Sequence, residues 1–396
     1  MNGWTEAPLP DILDFREGPG ILAKDFHDDG VPLVRLAGVK RGANILDGCN
    51  FLDPDLVVAK WNHFRLETGD VLLSTSASLG EVAVVGPDGS GAIPYTGLIR
   101  FRPLDDSMTA RFIPIALTSQ MFKEQIEAMG VGSVMKHFGP MHLKAMRVPL
   151  PPRDVQEGIS DVIEALDDKI AANTKLASTA EDLAQAIYRE ATLGVEMVPM
   201  SSRLVPVLGG TPARSTIGFW GGDNLWISAR DVTGAGQSVI LDTEEKITDL
   251  AIASTKAKPL PAGSVILTAR GTVGAVARLA ESASFNQSCY GFVPGALPAS
   301  VLYFAIRAAT DHAKALAHGS VFDTITMKTF DHLSVPGLDA DSLDVLEGAI
   351  RGLLDVVDAS QKENRTLVAT RDTLLPQLMS GKLRVKDAER AVSEVA

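Results

Sequence analysis

Asp167-Asp168-Lys169 offers two carboxylates and an amine, the residue types of a metal-dependent nuclease centre. The triplet lies within a helical stretch with no Pro-Asp strand near it, so it reads as helix surface. Ser380-Gly381-Lys382 resembles the end of a phosphate loop but lacks the upstream glycine and the following Ser or Thr. No Asn-Pro-Pro-aromatic or Asp-Pro-Pro-Tyr tetrapeptide is present for amino methylation, and no Gly-rich loop follows a strand in the manner of a methyl-donor site. His142 and the other histidines lack metal-ligand spacing and read as ordinary surface or core residues. Cys49 and Cys289 stand too far apart to suggest a zinc pair or a disulfide framework, which fits a reducing, cytoplasmic setting. No catalytic residue and no metal site is expected. What remains is binding chemistry, such as Arg270 in the turn Thr268-Ala269-Arg270-Gly271-Thr272-Val273-Gly274, where backbone can approach a ligand closely.

The bulk numbers describe a folded protein of two or more domains: 396 residues, 45% hydrophobic and 22% charged. No basic segment followed by an apolar run opens the chain, and no stretch is apolar enough to cross a bilayer, so no membrane partner is expected. The net charge of −12 argues, as a sum, against nucleic acid. Its distribution softens that: residues 1–150 carry −4, 151–199 carry −6, 200–336 carry +1 and 337–396 carry −3. Half of the excess sits in one short helical block, where it can serve as a solvated or partner-binding face.

The chain repeats itself. Gly69-Asp70-Val71-Leu72-Leu73-Ser74 matches Gly263-Ser264-Val265-Ile266-Leu267-Thr268 at an offset of 194, and the same offset relates Gly80 to Gly274, Val82-Ala83 to Val276-Ala277 and Gly97 to Gly291. Gly132-Ser133-Val134 and Val148-Pro149 recur 187 residues later, while Ile159, Asp167, Asn173 and Leu176 recur 191 residues later as Ile350, Asp358, Asn364 and Leu367. A period this long implies two copies of one domain plus one helix, related by an approximate two-fold. Within each copy short β-like runs come first: Val31–Leu36, Asp70–Ser74, Glu81–Val85 and Leu98–Phe101, then 225–228, 263–268, 273–279 and 290–293. Helical stretches over Phe112–Met129 and Ala299–Ala317 accompany them.

The period then switches to alternating threes and fours. Ile159, Ile163, Leu166, Ile170, Ala177, Ala180, Ala184 and Ile187 form a seam of the coiled-coil type, with Asn173 filling the missing step. Roughly 40 helical residues span about 60 Å. The second copy offers Leu346, Ile350, Leu353, Val357, Leu367, Leu374 and Leu378, with Pro376 expected to kink or end the helix and Gly381 to stop it. The two stripes are best buried on each other as an antiparallel pair. Ile163, Leu166, Ile170, Asn173, Ile187, Ile350, Leu353, Val357, Asn364 and Leu367 are the predicted seam; Asn173 and Asn364 either fix its register or lie on its solvated edge. The fold class is α+β: two globular α/β domains, at 1–150 and 200–336, joined by long antiparallel coiled-coil helices at 151–199 and 337–396, with a pseudo-two-fold internal repeat.

The ending Leu374-Leu375-Pro376-Gln377-Leu378-Met379-Ser380-Gly381-Lys382-Leu383-Arg384-Val385 resembles the C-terminal signature of specificity subunits of type I restriction–modification systems. Gly209-Gly210-Thr211-Pro212, Phe219-Trp220-Gly221-Gly222-Asp223-Asn224-Leu225-Trp226-Ile227-Ser228 and Asp231-Val232 resemble the entry into one of that family's target-recognition domains, as does Thr268–Gly274. Gly18-Pro19-Gly20-Ile21-Leu22 and Gly30-Val31-Pro32-Leu33-Val34-Arg35 resemble the other common entry. The first copy departs from the pattern in one respect: Ser74–Gly80 has no arginine where the second has Arg270.

The resemblance implies a non-catalytic reader of double-stranded DNA. Each domain would read half of an interrupted site, and the helices would set the spacer and dock two methyltransferase subunits, which restriction subunits join. S-adenosylmethionine, magnesium and ATP would belong to those partners. Candidate DNA contacts are Arg35, Lys40, Arg41, Ser76, Ser78, Lys136 and His137 in the first copy. In the second they are Arg230, Lys256, Lys258, Arg270, Thr272, Thr324 and Lys328, with Arg230 expected at a place comparable to Arg35's. Trp220 and Trp226 read as small-core residues rather than base-stacking ones. A related type IIB specificity subunit, a duplicated β-domain hydrolase and a scaffold without DNA contact are the competing readings; the hydrolase lacks a nucleophile–base or carboxylate constellation.

Overall fold

The structure is a computed structural model and describes residues 4–40, 44–76, 79–128, 138–235, 238–316 and 324–393. The chain forms two compact units, residues 1–171 with 365–396, and residues 172–364. Each unit contains part of both long helices.

The first unit is built on a four-stranded antiparallel sheet in the order Leu13–Glu17, Leu98–Pro103, Val71–Ser74, Val82–Val84. Val71–Ser74 is buried along its whole length because its two faces serve two cores. Val71 and Leu73 face the core shared with the helices, and Leu72 faces a second core around Val34, Val39 and Leu66. A three-stranded sheet, Asn50–Leu52, Val31–Val34 and Ile93–Pro94, lies beyond, its last pair parallel. Thr5–Pro8 pairs with Arg147–Leu150, where the domain leads into the first long helix.

The second unit repeats this plan. Its larger sheet runs Val207–Leu208, Cys289–Phe292, Val265–Thr268, Val276–Leu279, with an added parallel strand, Val239–Ile240. The smaller sheet is Glu245–Ile247, Trp220–Ile227, Ser284–Phe285. Met197–Pro199 pairs with Ser334–Pro336, as Thr5–Pro8 does with Arg147–Leu150. The repeat reaches single hydrogen bonds. Gly80 N–H donates to Ser74 O at 2.9 Å, and Gly274 N–H donates to Thr268 O at 2.9 Å. Both glycines have positive φ, 83° and 82°, the left-handed region that favours glycine. One sequence match slips: Gly97 does not correspond to Gly291. Leu72 faces Arg100 and Ile266 faces Gly291, so this strand is offset by 191 rather than 194, and Ser288 holds Gly97's place.

Two helical expectations need correction. The sequence predicts one helix over Phe112–Met129, but Ser119 is extended (ψ 151°), and its carbonyl and hydroxyl accept from Phe122 N–H, starting a new helix. Pro376 does not end the second long helix, which runs on through it from Ala340 to Met379. It stops at Gly381 (φ 68°), where Lys382 N–H returns to Gln377 O at 3.0 Å and the Trp4 indole donates to Leu378 O at 3.0 Å. Val385–Ser393 then forms a further helix that buries Ala388 and Val392 in the first unit's core.

The first long helix spans Arg153–Ala191. In the first unit its Ile159, Ile163 and Leu166 share a core with Leu367, Leu374 and Leu378 of the second, with Ile170 half-buried beside them. In the second unit Ala177, Ala180, Ala184 and Tyr188 share a core with Leu346, Ile350, Leu354 and Val357, with Ile187 and Leu353 half-buried. The helices run antiparallel: Asp167 meets Arg371 at 2.9 Å, and further along Asn173 donates to Glu363 at 2.8 Å. Asn364 donates to Thr174 at 3.1 Å, so both asparagines make cross-helix hydrogen bonds. The sequence match of Leu176 with Leu367 does not carry over to burial, since Leu367 is fully buried and Leu176 is 51% exposed. Ile159→Ala and Ile350→Ala should each destabilise the protein by about 2–5 kcal/mol, the usual range for emptying a packed aliphatic site, measured by urea denaturation.

Candidate nucleic-acid interface

Each unit presents a glycine turn at the end of its central buried strand, residues 74–80 and 268–274. One backbone hydrogen bond ties each turn to a second loop: Phe138 N–H to Thr75 O at 3.1 Å, and Ile325 N–H to Ala269 O at 3.0 Å. This bond joins the two sequence offsets, since 75 and 269 differ by 194 while 138 and 325 differ by 187. It collects chain segments that sequence alone leaves apart.

In the second unit the bond brings Arg270 and Thr272 beside Thr324 and Lys328, all exposed. Thr268 Oγ1 donates to Thr272 O and accepts from Ala275 N–H at 2.9 Å, so the turn is braced from within. Lys314, missed by the sequence reading, donates to Gly274 O at 2.6 Å and adds a third cationic side chain. Its signal was present, a lysine in the last turn of the helix Ala299–Leu316, but its neighbour is forty positions away. In the first unit the same place holds Ser76, half-buried against Gly97. Ser78, Lys136, His137 and Arg41 lie outside the described residues.

The remaining cations sort by what holds them. Arg35 lies 4.2 Å from the Tyr95 ring and 5.5 Å from the Phe26 ring and donates to Asn50 Oδ1 at 2.8 Å, so its guanidinium is held within its own domain. Lys258 Nζ donates to the carbonyls of Ile252 and Ala253, capping the helix Asp249–Ser254. Arg230 is exposed, 3.5 Å from Glu244. It does not occupy Arg35's place. Tyr95 N–H donates to Val34 O, and Asn286 N–H donates to Ile227 O, so the residue after Ile227, Ser228, corresponds to Arg35. Lys40, Lys256, Arg270 and Lys328 are exposed, and no ion pair or side-chain hydrogen bond engages them among the described residues.

The sequence reading also missed Arg214, two residues past Pro212. Its guanidinium stacks 3.8 Å from Trp220 and 5.4 Å from Trp226 and forms a bidentate pair with Glu245, which holds that carboxyl below its ordinary range. Trp226 is buried, with its indole N–H on Gly210 O at 3.0 Å, so these rings pack a small core as expected. Gly210 in turn lies against Lys256, bringing that lysine to the same edge. Chemically, the surface offers guanidinium and ammonium donors on braced turns. The buried Cys289 is no nucleophile: burial pushes its thiol up to about 12. Among the described residues no three His, Cys, Asp or Glu side chains cluster to hold a metal, and no helix is long and apolar enough to cross a membrane.

A family model described as the type I restriction modification DNA specificity domain matches residues 1–181 and 210–338. The chain belongs to this family. The MjaIX specificity subunit of Methanocaldococcus jannaschii is 24% identical over 162 residues, 40% of this chain and 38% of that protein. The HindI specificity subunit of Haemophilus influenzae is 20% identical over 322 residues, 61% and 70% of the two chains. The chain spans 38% and 41% of the lengths of two Methanocaldococcus relatives it matches, MjaIX and MjaVIII. A solved type I restriction-modification S subunit from M. genitalium shares the fold, with a TM-score of 0.61 over 95% of this chain and 96% of that one at 16% identity. The two matched segments each contain one glycine turn with its tied loop, up to Leu338 in the second.

Held and unheld cations should differ in stability measurements. Arg35→Ala should cost about 1–2 kcal/mol, from two cation–π contacts and one hydrogen bond. Arg270→Ala and Lys328→Ala should stay within about 0.5 kcal/mol of the parent in the same urea titration. A thiol reagent at about pH 8 should label Cys49 in the native chain and reach Cys289 only on unfolding.

Proposed function

We propose that this chain is the DNA-specificity subunit of a type I restriction–modification complex and has no catalytic role of its own. The observation that carries the reading is the pair of turns, tied by one matching hydrogen bond but bearing different side chains, Ser76 in one and Arg270 in the other. A chain with two such readers suits an asymmetric site in two halves. Lysine and arginine contacts to phosphates supply affinity and register, and donors at the major-groove edge supply sequence discrimination, about 1–3 kcal/mol for each good bidentate base contact. Arg270, Thr272, Thr324 and Lys328 are assigned to one half-site, together with Lys256 and Arg230. Lys40 and Ser76, with Arg41, Ser78, Lys136 and His137, are assigned to the other. Arg35 and Lys258 serve these surfaces by shaping the domains.

Linking two readers raises affinity by effective concentration only when the DNA spacing fits, so the helix pair makes spacer length part of the recognised sequence. The acidic face of residues 151–199, net −6, suits protein rather than DNA and is assigned to docking two methyltransferase subunits. Restriction subunits complete the complex, and S-adenosylmethionine, magnesium and ATP act on those partners.

Purified with its methyltransferase partner, the protein should bind one bipartite duplex far more tightly than a scrambled duplex of equal length and salt. Equal binding would end this reading. Insertion of four residues near Ala177 should shift the preferred spacer, read from the methylome of a host expressing the system. An unchanged spacer would show that the helices do not set it.

A further inference from the structure

Each long helix carries, at the same step, a polar side chain turned into the domain that precedes it. Gln156 stands three residues before Ile159, and Glu347 stands three before Ile350, 191 residues later. Gln156 is fully buried. Its Nε2 donates to Ser107 O at 2.8 Å and to Pro151 O at 2.9 Å, and its Oε1 accepts from Thr109 N–H at 2.9 Å. Glu347 Oε2 accepts from Ser300 N–H at 3.0 Å and Val301 N–H at 3.1 Å, while Oε1 accepts from the Ser300 hydroxyl at 2.9 Å.

The gripped segments also match. Residues 107–109 follow the strand Leu98–Pro103 and lead to the helix Ile113–Thr118. Residues 300–301 follow Cys289–Phe292 and open the 18-residue helix Ala299–Leu316, whose positive end the Glu347 carboxylate faces. These are the joints between each globular domain and its helix.

Apolar packing alone tolerates small rotations, since its energy depends on area rather than direction. Hydrogen bonds have narrow angles, and breaking one here strands a buried polar group at about 1–3 kcal/mol. A joint built this way resists turning. We propose that Gln156 and Glu347 are positioning residues for specificity: each locks its recognition domain at one angle on its helix and thereby restricts the DNA to one spacer length. The inference rests on the split-site reading above. It adds that spacer stringency resides in these two side chains as well as in helix length.

The test uses the full chain with its methyltransferase partner and duplexes carrying the methylome-defined half-sites at spacers up to two base pairs shorter and longer. Gln156→Ala and Glu347→Ala should keep the base preferences of both half-sites while discrimination against off-length spacers falls about tenfold. Glu347→Gln retains an acceptor and should fall between parent and alanine. Gln156→Glu loses both donors and should behave as alanine does. The two conservative variants, read beside thermal melting, keep the test valid if an alanine variant does not fold. Off-length rejection equal to the parent's, or a uniform loss across every spacer, would overturn the proposal. A parent that does not prefer the bipartite duplex to a scrambled one would instead bring down the split-site reading itself.

Discussion

A helix with an apolar stripe running most of its 39 residues must find cover along its length, and this requirement organises the chain. Half of the stripe is covered in each unit by the opposing helix together with a globular domain. The first unit's core therefore joins Leu9, Ile12 and Leu13 near one end of the chain to Leu367, Leu378, Ala388 and Val392 near the other. Contacts of that sequence separation are slow to form, because the intervening loop must close before they contribute. The second unit has the more local core, drawn from residues 177 to 357.

The features legible in the sequence were those set by periodicity and by glycine. Ile159, Ile163, Leu166, Ile350 and Val357 are buried because a repeat of threes and fours projects onto one helical face whatever covers it. Gly80 and Gly274 mark real turns because positive φ restricts the residue type. The slip at Gly97 and Gly291 has a different origin. Loops of unequal length separate the strands, so an offset measured on one strand does not carry to the next. Gly381 was legible as the stop of the second long helix for the same reason as Gly80 and Gly274, whereas the helix's passage through Pro376 was not, because the turn beyond it is held in part by Trp4, a residue from the far end of the chain.

The candidate interface was less legible for a related reason. A cation's availability depends on its spatial neighbours. Arg35 reads like Arg270 in sequence, both near a strand end, yet Phe26, Tyr95 and Asn50 surround the first, while among the described residues no ring or side-chain hydrogen bond engages the second. Arg214 escaped notice because its partners, Trp220, Trp226 and Glu245, come from two paired strands of the smaller sheet, Trp220–Ile227 and Glu245–Ile247. Tyr188, stacked on Phe304 at 5.7 Å, was passed over because an aromatic with a hydroxyl fits either face of a helix.

The two copies also show which interactions a duplicated frame retains and which it releases. Backbone hydrogen bonds recur with nearly equal lengths, because they do not depend on side-chain identity. Side-chain chemistry diverges at matched positions. Asp167 and Asp358 are equivalent, but the first binds Arg371 from the second long helix and the second binds Arg278 from the strand Val276–Leu279. Gln156 and Glu347 grip matching segments, one through a neutral amide and one through a carboxylate at a helix end. A frame held by backbone bonds and interior packing leaves its surface turns free to differ, as Ser74–Gly80 and Thr268–Gly274 do. On the proposed split-site reading, two identical surfaces on such a frame would favour a repeated half-site. Divergent turns on matching frames would let the two halves differ while the backbone frame of each unit is preserved.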